Sequence, residues 1–439
     1  MRRQLGAACV LVMMLAPFAA AGEFEEPAFP LVISDNKRLL EDAEGRPFLI
    51  HGDTAWSLIA ELTREETLRY LSDRKKRGFN ALVVSLIERK YATNAPANAY
   101  GQPPFVLPGR FSRPNDAYFD HAEWVVRQAG EMGFLVLLAP AYLGFNGGEE
   151  GWYREMEAAG TDELAAYGRY VGERFGRFKN ILWLYGGDYD AADRDLVRAV
   201  VEGIASTGAK GLNTVHSAPD TITIDYWPAE TWLDLDTVYT YADVHKQVLE
   251  RYRRGDGKPI LMLESTYEGE HGADALSMRG IAYGAMLAGA AGHIFGNNPI
   301  WHFSGPGIYP VDVTWQEALS SAGAQSMTQM RTLFEGLFWW ALEPVTDRSI
   351  FQTIGAEEGV YAAANEDGSL AVAYLPDGAA SLLVSGNLKR DRDAQWFDPA
   401  TGTFFAATES GSESLYEPPS PRNGAGDPDW VLILRAPRE

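Results

Sequence analysis

Eight short apolar runs alternate with amphipathic helical patterns over residues 47–337, and no other feature of the chain constrains its fold so strongly. The runs read PFLIHGD, FNALVVSL, FLVLLAPAY, NILWLYGGD, LNTVHS, DTVYTYA, PILMLES and GHIFGNN. Most are apolar at consecutive rather than alternate positions, the pattern of a strand buried on both faces of a parallel sheet. Helical patterns span Glu65–Arg77, Asp120–Met132, Asp162–Phe178, Asp193–Ser206, His245–Arg254, Ala273–Ala291 and Trp315–Leu337. The first opens with a capping box, Thr63 and Glu66, and Gly78, Gly133 and Gly208 stand where helices should stop. Repeated strand–helix units in this number predict an α/β fold, a (β/α)8 TIM barrel. A doubly wound open sheet is the alternative, but no GxGxxG follows the first strand, so a dinucleotide site has no support.

The flanks read differently. RLLEDAEGRPFLI predicts two short strands joined by a turn at Glu44–Gly45. From Glu343–Pro344 onward the hydrophobic period falls to two, between Gly- and Asp-rich turns such as Asp367–Gly368 and Asp377–Gly378. That pattern predicts a small C-terminal antiparallel β-sandwich. The domains are therefore a barrel over 22–343 and a sandwich over 344–439, with Ser410–Pro428 read as a loop.

Residues 1–21 carry Arg2 and Arg3, an apolar run through Phe18, and small residues at Ala19 and Ala21. This predicts a secretory signal peptide cut after Ala21, and export to the periplasm or beyond. The one cysteine, Cys9, lies within it, so the mature chain is expected to have neither a thiol nucleophile nor a thiolate metal site. Removing Arg2 and Arg3 takes the formal net charge from −22 to −24. Such acidity argues against nucleic acid or an anionic membrane surface as partner. No apolar run after residue 25 is long enough to span a bilayer. Oligomeric state is left open by these patterns.

In a barrel of this kind the reacting groups stand where the strands finish. Strand 1 delivers His51, Asp53 and Trp56, and strand 2 leads to Glu88. Strand 3 leads to Tyr142, strand 4 to Tyr185 and Asp188, strand 5 to His216 and strand 6 to Tyr241. Strand 7 gives Glu264, Tyr267 and Glu268; strand 8 gives Asn297, Asn298 and Trp301. The set is acidic, aromatic and amide-rich, without Lys or Arg. Aromatic faces suit the C–H faces of sugar rings and carboxylates suit their hydroxyls, whereas a phosphate site would call for cations and Gly-rich turns. An oligosaccharide or polysaccharide is therefore the expected partner, and no cofactor is expected.

Asp188 and Glu264 leave different strands and can face each other across one bond. Glycoside hydrolysis uses such a pair, one carboxyl protonated and the other ionised. Asp188 taken alone also suits a turn or a helix N-cap. Glu264 is harder to read as inert, because a carboxylate ending a buried apolar strand is costly unless it is paired or used. His51 and His216 offer a metal-site alternative, weakened because strand 1 reads His-Gly-Asp rather than His-x-His.

HGDTAW at 51–56, GFNAL at 78–82, NILWLYGGD at 180–188, LMLESTYE at 261–268 and AAGHIFGNNPIW at 290–301 together resemble the apiosidase-like family. That family is grouped with glycoside hydrolase family 140. ANEDGSLAVAYLPDG, WFDPATG and DWVLIL resemble the β-sandwich that accompanies its barrel and carries a collagen-binding label. The resemblance implies an exo-acting, retaining glycosidase of polysaccharide breakdown, acting on apiose linked to galacturonic acid in pectin. It implies Asp188 as acid/base and Glu264 as nucleophile. Ser265 stands where the family commonly has Pro, and Glu268, four residues on, is the alternative nucleophile. A non-catalytic sugar- or matrix-binding protein on the same scaffold is the second functional reading.

Overall fold

A computed structural model describes residues 24–437 except 229, 347–349, 356–358, 379, 387, 390–391 and 411–413. The expected signal peptide lies outside the described residues. The barrel strands are β1 (Ile50–Thr54), β2 (Ala81–Ser85), β3 (Leu135–Ala139), β4 (Ile181–Gly186), β5 (Leu212–His216), β6 (Asp236–Tyr239), β7 (Ile260–Glu264) and β8 (Gly292–Phe295). They pair in parallel from β1 round to β5 one way, and from β1 through β8 and β7 to β6 the other.

The last seam, between β5 and β6, has no regular ladder. It is closed instead by the Asp234 N–H to the Asn213 carbonyl at 2.9 Å, and by two threonines. Thr214 donates to the Leu235 carbonyl at 2.9 Å and Thr237 to the Val215 carbonyl at 2.6 Å. β-Branched hydroxyls thus supply the cross-strand bonds that the backbone omits.

Strand periodicity sorts the side chains into two layers. Ile50, Val83, Leu137, Leu184, Leu261 and Ile294 point inward and fill the barrel. Leu82, Val84, Val136, Leu138 and Trp183 point outward under the helices. At the bottom, the small antiparallel sheet of Val32–Ile33, Leu40–Glu41 and Pro47–Phe48 inserts Leu31, Leu40 and Phe48 into the inner layer. The expected turn at Glu44–Gly45 therefore belongs to a plug at the face opposite the strand ends.

The capping box of Arg64–Lys76 forms as expected, Thr63 and Glu66 bonding reciprocally. Two helices depart most from their expected extents. Tyr153–Phe175 begins nine residues before Asp162 and breaks at Gly160, where φ is 74°. The Trp315–Leu337 pattern resolves into Trp315–Ala318 and Ala322–Glu335. Ser321 stops the first and caps the second by accepting from the Ala324 N–H, since a serine side chain competes with the helical backbone.

The C-terminal region forms two antiparallel sheets. The larger contains Glu343–Pro344, Tyr361–Ala364, Leu370–Leu375, Trp430–Arg435, Asp393–Phe397 and Phe404–Ala406. The smaller contains Phe351–Ile354, Ser381–Val384, Leu415–Tyr416 and Glu409–Ser410. Part of the expected 410–428 loop is thus strand, with Leu415–Tyr416 pairing against Leu382–Leu383. The larger sheet is buried on both faces. Ala371, Ala373, Leu432 and Leu434 meet the smaller sheet, while Val372, Tyr374, Val431 and Ile433 join the barrel's helical layer.

A buried ion pair pins that contact. Arg279, on the Ala275–Leu287 helix, donates to both oxygens of Asp429 at 2.6 and 2.8 Å and to Asp427 at 2.7 Å. The Tyr374 hydroxyl also donates to Asp429. Beside it, Tyr374 stacks on Tyr283 with ring centroids 4.9 Å apart, and Tyr361 stacks on His245 at 4.2 Å. Removing one partner of such a pair strands the other charge in the interior. Arg279→Met is expected to destabilise the protein by roughly 3–5 kcal/mol, read as a lower urea midpoint at neutral pH.

Candidate active site

β4 ends in three consecutive residues with positive φ: Gly186 at 79°, Gly187 at 133° and Asp188 at 58°. The glycines are sterically required. A Cβ on Gly187 would lie 2.3 Å from the Tyr142 ring, and one on Gly186 would lie 2.7 Å from the His216 carbonyl. The sequence GGD therefore lets Tyr142 and β5 crowd against the strand end, a close approach only glycine permits. Asp188 emerges in phase with the inward-facing Leu182 and Leu184, so its side chain is delivered to the barrel mouth.

Glu264 reaches the same place by a different device. Leu261 and Leu263 face inward, so strict alternation would send residue 264 outward. The β6–β7 register shifts between Met262 and Glu264, and such a bulge re-aims the following side chain.

One imidazole joins the two acids. The Asp188 N–H donates to Nδ1 of His216 at 3.1 Å, while Nε2 of His216 approaches Oε2 of Glu264 at 2.8 Å. The Nδ1 lone pair is thus occupied, which fixes the neutral tautomer with its proton on Nε2, facing Glu264. Burial opposes charging His216; Glu264, followed by Asp188 and Asp190, reverses that and raises its pKa overall. Protonating Nδ1 would nevertheless set it against the Asp188 N–H. The Tyr267 hydroxyl accepts from Trp56 Nε1 at 3.1 Å, and burial, then the nearby Glu264 charge, raises its pKa.

Asp188 is held differently. Tyr142 donates to its Oδ2 at 3.1 Å, while the buried Oδ1 has no partner. Burial, then the Glu264 charge, raises its pKa, against the opposing effects of His216, Tyr239 and Tyr142. Asp188 is therefore a carboxyl whose surroundings favour holding a proton.

Both acids line one cavity of about 930 Å³. Of the residues expected from sequence, Trp56, Glu88, Tyr142, His216, Tyr241, Tyr267 and Trp301 also line it. Glu88 has little acceptor capacity to spare: Oε1 takes the N–H groups of Arg89, Lys90 and Tyr91, and Oε2 the Ser57 hydroxyl. It shapes the wall.

Six expected residues, Asn297 among them, do not line it. His51 and Asp53 are out of phase with Ile50 and point outward. His51 stacks on Phe79 and meets His293 at 3.0 Å, and Asp53 is buried against Arg74 and Tyr70, where burial pushes its pKa up to about 6. Tyr185 lies on the same outward face as Trp183, its hydroxyl on Asn213. Glu268 is buried against Asn297, Ser321 and the Gly323 N–H, a structural clamp remote from the role of alternative nucleophile. Asn298 bonds His302 and the Tyr309 carbonyl. His51 and His216 thus lie in different layers, and among the described residues no three His, Cys, Asp or Glu gather as metal ligands.

The sequence reading missed Tyr239 and Glu270, which also line the cavity. Tyr239 was legible, being two residues before Tyr241 on one strand face; its ring stacks on His216 at 5.0 Å. Glu270 had no such signal. It accepts from Trp301 Nε1 at 3.0 Å, and burial, countered by that bond and aided by the Glu264 charge, pushes its pKa up to about 7.

The family model described as "Apiosidase-like, catalytic domain" matches residues 34–341. A second, described as "Putative collagen-binding domain of a collagenase", matches 345–435. No curated protein matches the chain. Among solved structures, a glycoside hydrolase family 5 protein from Bacteroides vulgatus is similar at 22% identity, covering 92% of this chain and 93% of its own, with TM-score 0.79. A structure described as a glycoside hydrolase is similar at 22% identity over 93% of this chain and 97% of its own, with TM-score 0.78. A family 5 mannosidase from Rhizomucor miehei is similar at 12% identity over 71% of this chain and 99% of its own, with TM-score 0.51. At these identities the structural likenesses speak for the fold.

Because the native pKa of Asp188 lies above its ordinary 3.8, ionising it costs more in the folded than in the unfolded chain. That cost is absent at pH low enough to protonate both states and grows as pH rises through the gap between the two values. Asp188→Asn is expected to raise Tm at pH 8, on the order of 1–3 °C. The gain should vanish near pH 3.5, as calorimetry at both values would show.

Proposed function

The chain belongs to the apiosidase-like family, and on that premise we propose that it is an exo-acting, retaining glycoside hydrolase that removes a terminal sugar from a plant or algal polysaccharide fragment, with pectic apiosides the first substrates to test. The observation that carries the assignment is the unequal treatment of two acids in one cavity. Asp188 has a raised pKa and an unpartnered Oδ1, while Oε2 of Glu264 meets the His216 ring nitrogen at 2.8 Å.

In the first step Glu264 attacks the anomeric carbon, and the bond to the leaving oxygen breaks as Asp188 delivers its proton there. The glycosyl group is then esterified to Glu264 and Asp188 is ionised. In the second step Asp188 takes a proton from water, whose oxygen displaces Glu264 and restores both carboxyls. Tyr142, donating to Oδ2, holds the Asp188 carboxyl in place for these transfers. His216, whose Nε2 lies 2.8 Å from Oε2, orients the attacking carboxylate and meets it again on departure. We further propose that the enzyme is exported and acts outside the cytoplasm, as its N-terminal 21 residues suggest.

Removing the acid and removing the nucleophile should differ in kind. Glu264→Gln is expected to abolish turnover on every glycoside. Asp188→Asn should lose about 10²–10⁴-fold on native linkages, yet far less on substrates with a good leaving group in the first step. Release of reducing sugar from pectic oligosaccharides and from an activated aryl glycoside measures both. Parent-like rates in either variant would sink the assignment. Retention is tested separately by NMR of the first anomer formed, before mutarotation.

A further inference from the structure

Within the proposed glycosidase reading, the geometry points to a built subsite for the leaving sugar, with Phe145 as its stacking platform. The acid must hand its proton to the leaving oxygen, so the leaving group lies on the Asp188 side of the scissile bond. Phe145 is attached to that side. The Asn146 N–H reaches the Asp188 carbonyl at 3.4 Å, and the Leu143 N–H bonds the Gly186 carbonyl at 3.3 Å. The turn bearing Phe145 and the turn bearing the acid therefore support each other.

The turn is preorganised. Gly147 donates to the Gly144 carbonyl at 2.9 Å, and Gly148 to the Phe145 carbonyl at 3.0 Å. At Gly144, with φ of 92°, a Cβ would lie 2.7 Å from the Gly151 nitrogen, so the two strands of the turn close tightly. Displayed on it, Phe145 lines the cavity yet remains 53% exposed. An apolar ring presented at the mouth of a carboxylate-rich cavity gains by covering its face with the C–H face of a sugar.

Polar groups complete the site. Glu150, from the same turn, and Lys90 line the same cavity. Neither takes part in an ion pair among the described residues, so an acceptor and a donor are both available to ring hydroxyls. The volume agrees: about 930 Å³ stands near the top of the roughly 300–1,000 Å³ range that houses drug-sized ligands, more than one sugar ring needs. The substrate class is therefore an oligosaccharide whose leaving portion presents at least one hydroxylated ring.

The test compares two substrates that share a terminal apiosyl group: an apiose-bearing pectic oligosaccharide and apiosyl fluoride, whose leaving group has no ring to stack. For Phe145→Ala, the loss in kcat/KM on the oligosaccharide should exceed the loss on the fluoride about tenfold. Phe145→Trp should restore the oligosaccharide rate. Equal losses on both substrates, or none on either, would overturn the subsite. Turnover of the fluoride by the parent tests the glycosidase reading by itself, so the two failures are distinguishable.

Discussion

A single buried imidazole organises the barrel mouth. His216 takes the Asp188 N–H at one nitrogen and meets the Glu264 carboxylate at the other, so the ends of β4, β5 and β7 are tied together by one ring. Both acids need that tie. Asp188 stands on a backbone with three successive positive φ values, an arrangement that persists only where surroundings over-determine it. Glu264 is turned inward by a register shift that its neighbours must hold. Because Nδ1 is already an acceptor, the neutral ring carries its proton on Nε2, on the side of Glu264.

Around this tie the environment divides labour between two chemically similar groups. Burial and like charge act on Asp188 against one donor, Tyr142, whereas Glu264 meets the His216 ring nitrogen. The aromatic rings serve the same division. Trp56 donates to the Tyr267 hydroxyl in the cavity that Glu264 lines, and Tyr142 holds one oxygen of Asp188. Preorganised donors of this sort act strongly because the site is enclosed and its dielectric is low.

The sandwich contributes to the same rigidity from behind. Its larger sheet has no free face, and its Asp429 is satisfied by Arg279, Tyr374 and Asn423 at once. The ring stack from His245 through Tyr361 and Tyr374 to Tyr283 crosses the same contact.

What the sequence by itself determined was the alternation, and with it the barrel, the sandwich and the strand ends at which to look. Runs such as FLVLLA and PILML can be buried only between two apolar layers, and that information is local. Glu264 was legible because a carboxylate after such a run has few cheap explanations, and Asp188 because it could face Glu264 from another strand. Which strand-end residues face the cavity was decided by phase, and phase depends on neighbours. His51, Asp53 and Tyr185 lie one residue off the inward register, while Glu264 would be off it but for the shift against β6. Glu268 and Glu270, two residues apart in one loop, were indistinguishable in sequence, yet the first is clamped by Ser321 and the second stands in the cavity. Such choices belong to the tertiary structure because the groups that make them, a helix N-terminus and a tryptophan nitrogen, come from distant parts of the chain.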